Sequence, residues 1–257
     1  MSRLAPPPID RFLPAFVDDL HATLGGELAG AYLYGSAVSG GFDAAASDLD
    51  VVVVTETPVD QEPFERFAGI VARLQAREPD WAGRLDIIFV GRSTLADFRA
   101  GDGPFLEISH DEPLELKHRA DEWLQTWYLA RTADWPLVGP SSAEVIPPIS
   151  TDEFLRASVD AVPSFIAPDR SKGTDGWRAY RTLTMCRLLC SVELGALCSK
   201  VDGAAWAIER YPDRAGLIRA ALAVRARGGR GGFTRPQRDA IPELLKFLVS
   251  EVARAPL

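Results

Sequence analysis

The hydrophobic pattern of this chain changes near residue 150, and that change limits the fold more than any other feature of the sequence. Before it, short apolar runs typical of buried strands alternate with amphipathic segments; after it, only helical spacing continues. The stretch 137–148, which contains Leu-Val-Gly-Pro and Pro-Pro, predicts a linker. We therefore expect an α+β chain, with a mixed sheet and flanking helices over residues 1–149 and an all-α helical bundle over residues 150–257.

The individual elements follow from the period of the apolar residues and from the breakers between them. Strands are predicted at 29–34, 49–55 and 85–90. Helices are predicted in the first part at 11–24, 63–75, 93–99 and 115–132, and in the second part at 151–166, 177–197, 203–210, 213–227 and 235–252.

The charge balance limits the classes of molecule that this protein is expected to bind. The formal net charge of −8 argues against non-specific binding to nucleic acid or to anionic membrane, since both select basic surfaces. A cationic small molecule fits an acidic protein better. The N-terminal residues lack the apolar core of a signal sequence, and no uncharged apolar run reaches membrane-spanning length. We expect a cytoplasmic monomer.

The cysteines do not form a metal motif. Cys186, Cys190 and Cys198 lie in one apolar segment, and the three histidines of the chain are not at a zinc-ligand spacing from them. We expect reduced thiols in the core. Cys186 and Cys190 share a helix face, so a reactive pair stays open as an alternative.

Two acidic residues open the second predicted strand, where an apolar run would normally exclude charge. Asp48 and Asp50 flank Leu49 ahead of four consecutive valines. Alternation along a strand puts both carboxylates on one face, and unpaired buried charge is costly, so a compensating group is expected. Hard divalent cations prefer such oxygen ligands. Upstream of Asp48, and separated from it by eleven residues, Gly35-Ser36 closes the first strand, where backbone N–H groups and the serine hydroxyl can hold phosphate oxygens.

A third lone acid, Asp86, lies in the strand predicted at 85–90. Taken singly, each feature has a simpler explanation: Gly35-Ser36 as an ordinary turn, Asp48 as the start of a strand, and Asp86 as the ion-pair partner of Arg84. Taken together, a phosphate-holding turn and three strand carboxylates favour metal-assisted phosphoryl-type transfer.

These residues resemble the signature of the polymerase-beta-like nucleotidyltransferase superfamily, which is matched by Gly35-Ser36, Asp48, Asp50 and Asp86. Over nearly its whole length the chain resembles one branch, the aminoglycoside adenylyltransferases that modify streptomycin and spectinomycin. Leu-Val-Gly-Pro at 137–140 and Ala-Trp-Ala-Ile-Glu-Arg-Tyr-Pro at 205–212 are similar to segments of those enzymes. The resemblance implies a nucleotidyltransferase domain at 1–149 and a helical domain at 150–257 that closes the ATP and acceptor cleft.

The resemblance also implies a role for each matched residue in AMP transfer from ATP to a hydroxyl, with release of pyrophosphate. Two magnesium ions are implied on Asp48 and Asp50, with Asp86 as catalytic base beside them and a further member of the metal cluster. Nucleotide-site residues are implied at Gly35, Ser36, Ser47, Glu122, Arg187 and Lys200, where Glu122 is an acidic position of the cleft and the two cations neutralise the triphosphate.

Asp86 departs from the family pattern, which has glutamate at this position. The aspartate side chain is shorter by one methylene, which draws the carboxylate back by roughly 1.5 Å. Either a water or a metal bridges that gap, or the acceptor sits deeper.

The chain also departs from the streptomycin-accepting relatives at two drug contacts. Trp177 stands where they carry an aspartate, and the segment 105–110 lacks their tryptophan. An indole removes the charge-assisted bond to a guanidinium and adds bulk, so we expect spectinomycin to be adenylylated in preference to streptomycin. Glu107 and Asp175 are candidate partners for its amines. An untested hydroxyl compound is the alternative acceptor.

Two other functions stay open. Other members of the superfamily modify a protein side chain or an RNA end, although the acidic balance disfavours RNA. The fold can also persist as an inactive nucleotide-binding module, against which the three retained acids argue.

Overall fold

The computed structural model describes residues 5–44, 47–81, 83–101, 103–109, 112–119, 123–166, 173–229 and 232–255. These form two compact units. Unit 1 is drawn from Met1–Phe42 and Ser47–Ile149, and unit 2 from Asp43–Ala46 and Ser150–Leu257.

Unit 1 combines a sheet with helices. Its strands are β1 (Leu28–Leu33), β2 (Leu49–Thr55), β3 (Leu85–Gly91), β4 (Phe105–Ile108), β5 (Glu115–Lys117) and β6 (Pro136–Val138). Its helices are α1 (Pro7–Asp10), α2 (Leu13–Leu24), α3 (Ser36–Ser39), α4 (Phe64–Arg77), α5 (Arg92–Ala96), α6 (Leu124–Ala133) and α7 (Ser142–Val145). In the described part of the chain the sheet has six strands in the order β5-β4-β3-β2-β1-β6. Among the strands that the structure describes, β2 and β3 are the one parallel pair, so the sheet is mixed, as predicted.

The sheet has one apolar face and one face that carries charge. Alternate residues such as Leu33, Val51 and Ile87 are fully buried in a core cluster that includes Phe16 of α2 and Phe67 of α4. The residues between them point to the opposite face, because side chains alternate along a strand. Helix α6 contacts β1 and contributes the fully buried Trp127 to the core of the unit.

The sequence patterns missed three strands of this sheet. β5 lies at the start of the predicted helix 115–132, and the helix itself begins at Leu124. β6 lies partly in the predicted linker and pairs with β1 at Ala31. Strands of three or four residues show too few alternations to be recognised, and their pairing with a neighbour decides their conformation.

Unit 2 is helical, as predicted. Its helices are α8 (Thr151–Asp160), α9 (Val162–Ile166), α10 (Asp175–Leu194), α11 (Lys200–Arg210), α12 (Ala215–Arg225) and α13 (Arg235–Val252). α10 packs against α8, α11, α12 and α13 and forms the centre of the bundle. α11 approaches α10 closely, since a Cβ on Gly203 would lie 2.5 Å from the Cα of Arg187. Among the described helices of both units, none is long and apolar enough to cross a membrane.

The cysteines differ from the prediction of three reduced thiols. A disulfide joins Cys190, near the end of α10, to Cys198 in the following turn. Their Cα atoms lie 6.4 Å apart, which is a spacing that a disulfide can bridge. The prediction is therefore wrong for this pair, because the chain reverses at Gly195 and returns Cys198 to the helix. Cys186 is a free buried thiol whose pKa is raised to about 12 by burial.

One side chain ties the end of α6 to the start of α7. Asp134 adopts a left-handed conformation (φ 41°) directly after α6. Its Oδ1 accepts hydrogen bonds from the Ser141 hydroxyl at 2.9 Å, the Ser142 amide at 2.8 Å and the Ser142 hydroxyl at 3.0 Å. Ser142 is fully buried, so water cannot replace these bonds at little cost.

We expect Asp134→Ala to lower the free energy of unfolding by about 1–3 kcal/mol, because it leaves the amide of the buried Ser142 without its acceptor. Asp134→Asn keeps an acceptor oxygen and tolerates the left-handed conformation, so its loss is smaller. Urea unfolding followed by tryptophan fluorescence measures both variants. An alanine variant as stable as the asparagine variant would contradict this role.

Candidate active site

The register of two parallel strands brings acidic residues to one place on the sheet. Asp50 of β2 is paired with Asp86 of β3. Side chains at i and i+2 of a strand share a face, so Asp48, just before β2, lies toward the same side as Asp50. Asp48 acts on Asp86 as a nearby negative charge. The structure therefore brings the three strand acids predicted from the sequence close to one another.

The turn after β1 is fitted against this acid group. The Tyr34 amide donates to the Asp50 carbonyl at 3.1 Å, which continues the strand pairing into the turn. Gly35 follows with a positive φ of 66°, and a Cβ at this position would lie 2.1 Å from Asp50 Oδ2. Only glycine combines that backbone conformation with so close an approach to the carboxylate. Ser36 then begins α3.

Asp86 is the most perturbed acid of the group. It is hydrogen-bonded by the side chain of Tyr34. Burial, followed by the negative charges of Glu107 and Asp48, raises the pKa of Asp86 to about 7. Its Oδ1 is buried and has no hydrogen-bond partner among the described residues. An acid held among other acids with one oxygen unsatisfied is a candidate for proton transfer or for binding a cation.

Tyr34 and Thr126 belong to the site although the sequence analysis did not single them out. Tyr34 is buried and lies at the end of β1, and burial raises its pKa well above its usual value. Its hydroxyl is also hydrogen-bonded by Thr126 of α6. The available signal for Tyr34 was its place directly before Gly35-Ser36, whereas nothing in the pattern of α6 indicates Thr126.

Glu107 and Lys117 form a charged pair beside the acids. Glu107 lies opposite Ile88 of β3 and its side chain is only 2% exposed. It accepts a hydrogen bond from Lys117 of β5, and burial raises its pKa. Because Lys117 engages this carboxylate, Glu107 is no longer a suitable partner for an acceptor amine.

The donor set fits a divalent cation that is completed by other ligands. Within the described parts of the chain, no three Asp, Glu, His or Cys side chains form a ready metal-binding group. Magnesium needs fewer, since it is commonly held by one or two carboxylates together with water and substrate phosphates. A cation here would satisfy Asp86 Oδ1 and lower the pKa of that carboxyl.

Ser47, a further residue predicted for nucleotide binding in unit 1, is buried. Ser47 is 4% exposed, and its carbonyl accepts a hydrogen bond from Arg84 at 3.2 Å. The Arg84 guanidinium lies 4.2 Å from the ring centroid of Trp81 and also donates to the Asp80 carbonyl. Glu122 lies outside the described residues.

In unit 2, Arg187 lies on α10 and Lys200 begins α11. The Lys200 ammonium is 4.3 Å from the ring centroid of Tyr180. Trp177 stacks on the same tyrosine with ring centroids 5.2 Å apart. An aromatic cluster with a cation at its edge therefore forms where the streptomycin-accepting relatives have an aspartate.

Asp175 is held by its own unit. Arg238 donates to both of its oxygens at 2.9 Å, the Phe233 amide donates at 3.1 Å, and Arg178 forms a further ion pair. The hydrogen bond and charge of Arg238 lower the pKa of Asp175. A carboxylate so engaged is a poor candidate for binding a drug amine.

Comparison with known proteins adds the family. The profile described as "Aminoglycoside adenylyltransferase, C-terminal domain" matches residues 144–251, and that of "Nucleotidyltransferase domain" matches residues 16–101. Spectinomycin 9-adenylyltransferase of Staphylococcus aureus is 26% identical over 199 residues, which cover 73% of this chain and 74% of the relative. The Campylobacter jejuni enzyme of the same name is 24% identical over 200 residues, 74% of this chain and 75% of its own.

A solved structure shares the fold. The spectinomycin adenylyltransferase AAD(9) from Enterococcus faecialis, crystallised with ATP and spectinomycin, superposes with a TM-score of 0.74. It is 17% identical, and the match covers 95% of this chain and 99% of that one. The two profiles match successive parts of the chain in the order in which its sheet-containing and helical units occur. The chain therefore combines a nucleotidyltransferase domain with a region that matches the C-terminal domain of aminoglycoside adenylyltransferases, and these matches support an adenylyltransferase enzyme of that family.

Proposed function

We propose that this enzyme transfers AMP from ATP to a hydroxyl of an aminoglycoside-type antibiotic, with magnesium as cofactor and pyrophosphate as the second product. The observation that carries the proposal is the group of Asp48, Asp50 and Asp86 on one side of the sheet, beside the Gly35 turn. ATP and spectinomycin are named for the AAD(9) structure, and spectinomycin for the curated relatives, which supports the same substrates here. The cytoplasm is the compartment in which such a reaction finds ATP.

In the proposed reaction, the acceptor oxygen forms a bond to the α-phosphorus of ATP. At the same time, the bond breaks between the α-phosphorus and the oxygen that bridges it to the β-phosphate. Asp86 accepts the hydroxyl proton, for which its Oδ1 has no competing hydrogen-bond partner among the described residues. The turn at Gly35-Ser36 holds phosphate oxygens through backbone N–H groups. Asp48 and Asp50 would hold magnesium, which would supply Lewis-acid activation of the acceptor hydroxyl and charge neutralisation for the leaving pyrophosphate.

Three further residues keep the roles that the resemblance implies. Arg187 and Lys200 are proposed as cations for the ATP triphosphate, where charge-assisted hydrogen bonds are strong. Ser47 is proposed as a phosphate contact, although its burial and the Arg84 hydrogen bond to its carbonyl favour a role in fixing the start of β2.

The acceptor preference rests on Trp177. Its ring is stacked on Tyr180 and packs 6.1 Å from the Phe165 ring centroid, so it is held in place by neighbours. A fixed indole cannot provide the charge-assisted hydrogen bonds that an aspartate gives to a guanidinium. Spectinomycin has no guanidinium group, so the loss affects streptomycin more.

Asp50→Asn removes a proposed metal ligand with little change of shape. We expect turnover to fall at least about 100-fold, because several kcal/mol of transition-state stabilisation come from the metal. The fold should remain, since the change removes one charge from a group of like charges. Pyrophosphate release and circular dichroism measure the two effects. Asp60→Asn, at an exposed acid of the same unit, is the control, and near-normal turnover of Asp50→Asn would remove the metal assignment.

Gly35→Ala tests the fit of the turn against Asp50. The added methyl would meet Asp50 Oδ2 at 2.1 Å, so the turn or the carboxylate must move, and we expect a loss of adenylyl transfer of about 100-fold. Gly40→Ala is a matched control, because Gly40 also has a positive φ but open space around a Cβ. Both variants place alanine at a positive φ, although the conformation of Gly35 (ψ −147°) disfavours a side chain more strongly than the left-handed conformation of Gly40 (ψ 3°). Equal activity of the two variants would show that the approach to Asp50 has no functional importance.

Acceptor choice is tested by competition. Equal concentrations of spectinomycin and streptomycin are incubated with ATP, magnesium and the enzyme, and the adenylyl adducts are quantified by mass spectrometry. We expect adenylyl-spectinomycin as the main product. A predominance of adenylyl-streptomycin would contradict the argument from Trp177, and no adduct of either drug would favour an untested hydroxyl compound as acceptor.

A further inference from the structure

The two oxygens of the Asp86 carboxylate differ in their hydrogen bonding. Its Oδ1 is buried without a hydrogen-bond partner in the described part of the chain, so the bond from Tyr34 must reach the other carboxylate oxygen, Oδ2. Two oxygens of one carboxylate therefore have different surroundings. One is bound to the protein, and the other is left for an external group.

Tyr34 is itself fixed from three directions. Its amide donates to the Asp50 carbonyl at 3.1 Å, and its side chain is only 4% exposed. Its hydroxyl is also hydrogen-bonded by Thr126 of α6. Because a hydroxyl has one proton, Tyr34 can donate to Asp86 only while it accepts from Thr126. The order of donation is therefore Thr126 to Tyr34 to Asp86.

We propose that Tyr34 is a positioning residue for adenylyl transfer, which holds Asp86 Oδ2 so that Oδ1 is presented to the reacting groups, and that Thr126 sets the direction of the Tyr34 hydroxyl. The inference rests on the proposed function, because it deepens the role of Asp86 in that reaction. The inference gives a role to two residues, Tyr34 at the end of β1 and Thr126 on α6.

The chain provides a matched control for the loss of a tyrosine hydroxyl. Tyr32 lies two residues earlier on β1, is fully buried, and has a hydroxyl without a hydrogen-bond partner among the described residues. Tyr32→Phe and Tyr34→Phe remove the same atom from the same strand. Only Tyr34→Phe breaks a bond to Asp86.

The first test is kinetic, on the full-length protein with magnesium, ATP and spectinomycin. We expect Tyr34→Phe to lower kcat by about 10- to 100-fold, as for a small misplacement of a reacting group, with an ATP Kd from calorimetry within about twofold of the parent. Tyr32→Phe should keep the parental kcat. Thr126→Val should lower kcat in the same direction, and Thr126→Ser should restore it. An unchanged kcat in Tyr34→Phe, or an equal loss in kcat and in ATP affinity, overturns the proposal.

The second test does not depend on turnover. Crystal structures of the parent and of Tyr34→Phe are compared at Asp86. We expect the carboxylate to rotate or to occupy two orientations in the variant, and to be single in the parent and in Tyr32→Phe. An Asp86 carboxylate in the same single orientation in all three overturns the proposal. If the parent adenylylates no acceptor, the proposed function fails, and the Asp86 orientation still decides whether Tyr34 positions it.

Discussion

The parallel, in-register pairing of β2 with β3 sets Asp50 beside Asp86, and the Gly35 turn and the Tyr34 side chain contact these two acids. Both strands are otherwise buried and apolar, so water along the strands does not screen the repulsion between the two carboxylates. The acids lie at the strand starts, where the chain arrives from turns. Their position concentrates negative charge at one end of the sheet.

Groups of the protein itself offset part of this charge. Lys117 neutralises Glu107, and Tyr34 donates a hydrogen bond to Asp86, yet desolvation still dominates the pKa of Asp86. Removal of Lys117 would leave Glu107 charged next to Asp86 and raise that pKa further. Complete internal compensation would make a stable sheet and a poor cation site. The Asp86 Oδ1, which has no hydrogen-bond partner among the described residues, is the atom that an external cation would satisfy in the proposed reaction.

Much of the fold could be predicted, because the apolar pattern of the long helices and strands indicates which of their residues are buried. β2 has four successive valines, and α10 repeats its apolar residues over twenty positions. β5 and β6 could not be predicted, since each has three residues and owes its conformation to the strand beside it. The disulfide was missed for a related reason, because it depends on where the turn at Gly195 returns the chain.

The residues of the candidate site also divide into those that could be predicted from the sequence and those that could not. Asp48, Asp50 and Asp86 were predictable because a carboxylate in an apolar strand conflicts with its surroundings, and that conflict is visible in the sequence. Thr126 was not predictable, because the role of a buried hydroxyl on a helix depends on the hydrogen-bond partner that the fold places beside it. The roles of all these residues in catalysis remain predictions.

The aspartate at position 86 has a physical consequence for the geometry of the reaction. A glutamate would carry its carboxylate about 1.5 Å further from the strand and add a rotatable bond. The shorter side chain keeps the carboxylate within reach of the Tyr34 hydroxyl at the end of β1, two strands away across β2. With fewer torsions to fix, a single hydrogen bond defines its orientation. For the proposed transfer, the acceptor hydroxyl must then come closer to the sheet, which favours a compact, rigid acceptor over an extended one.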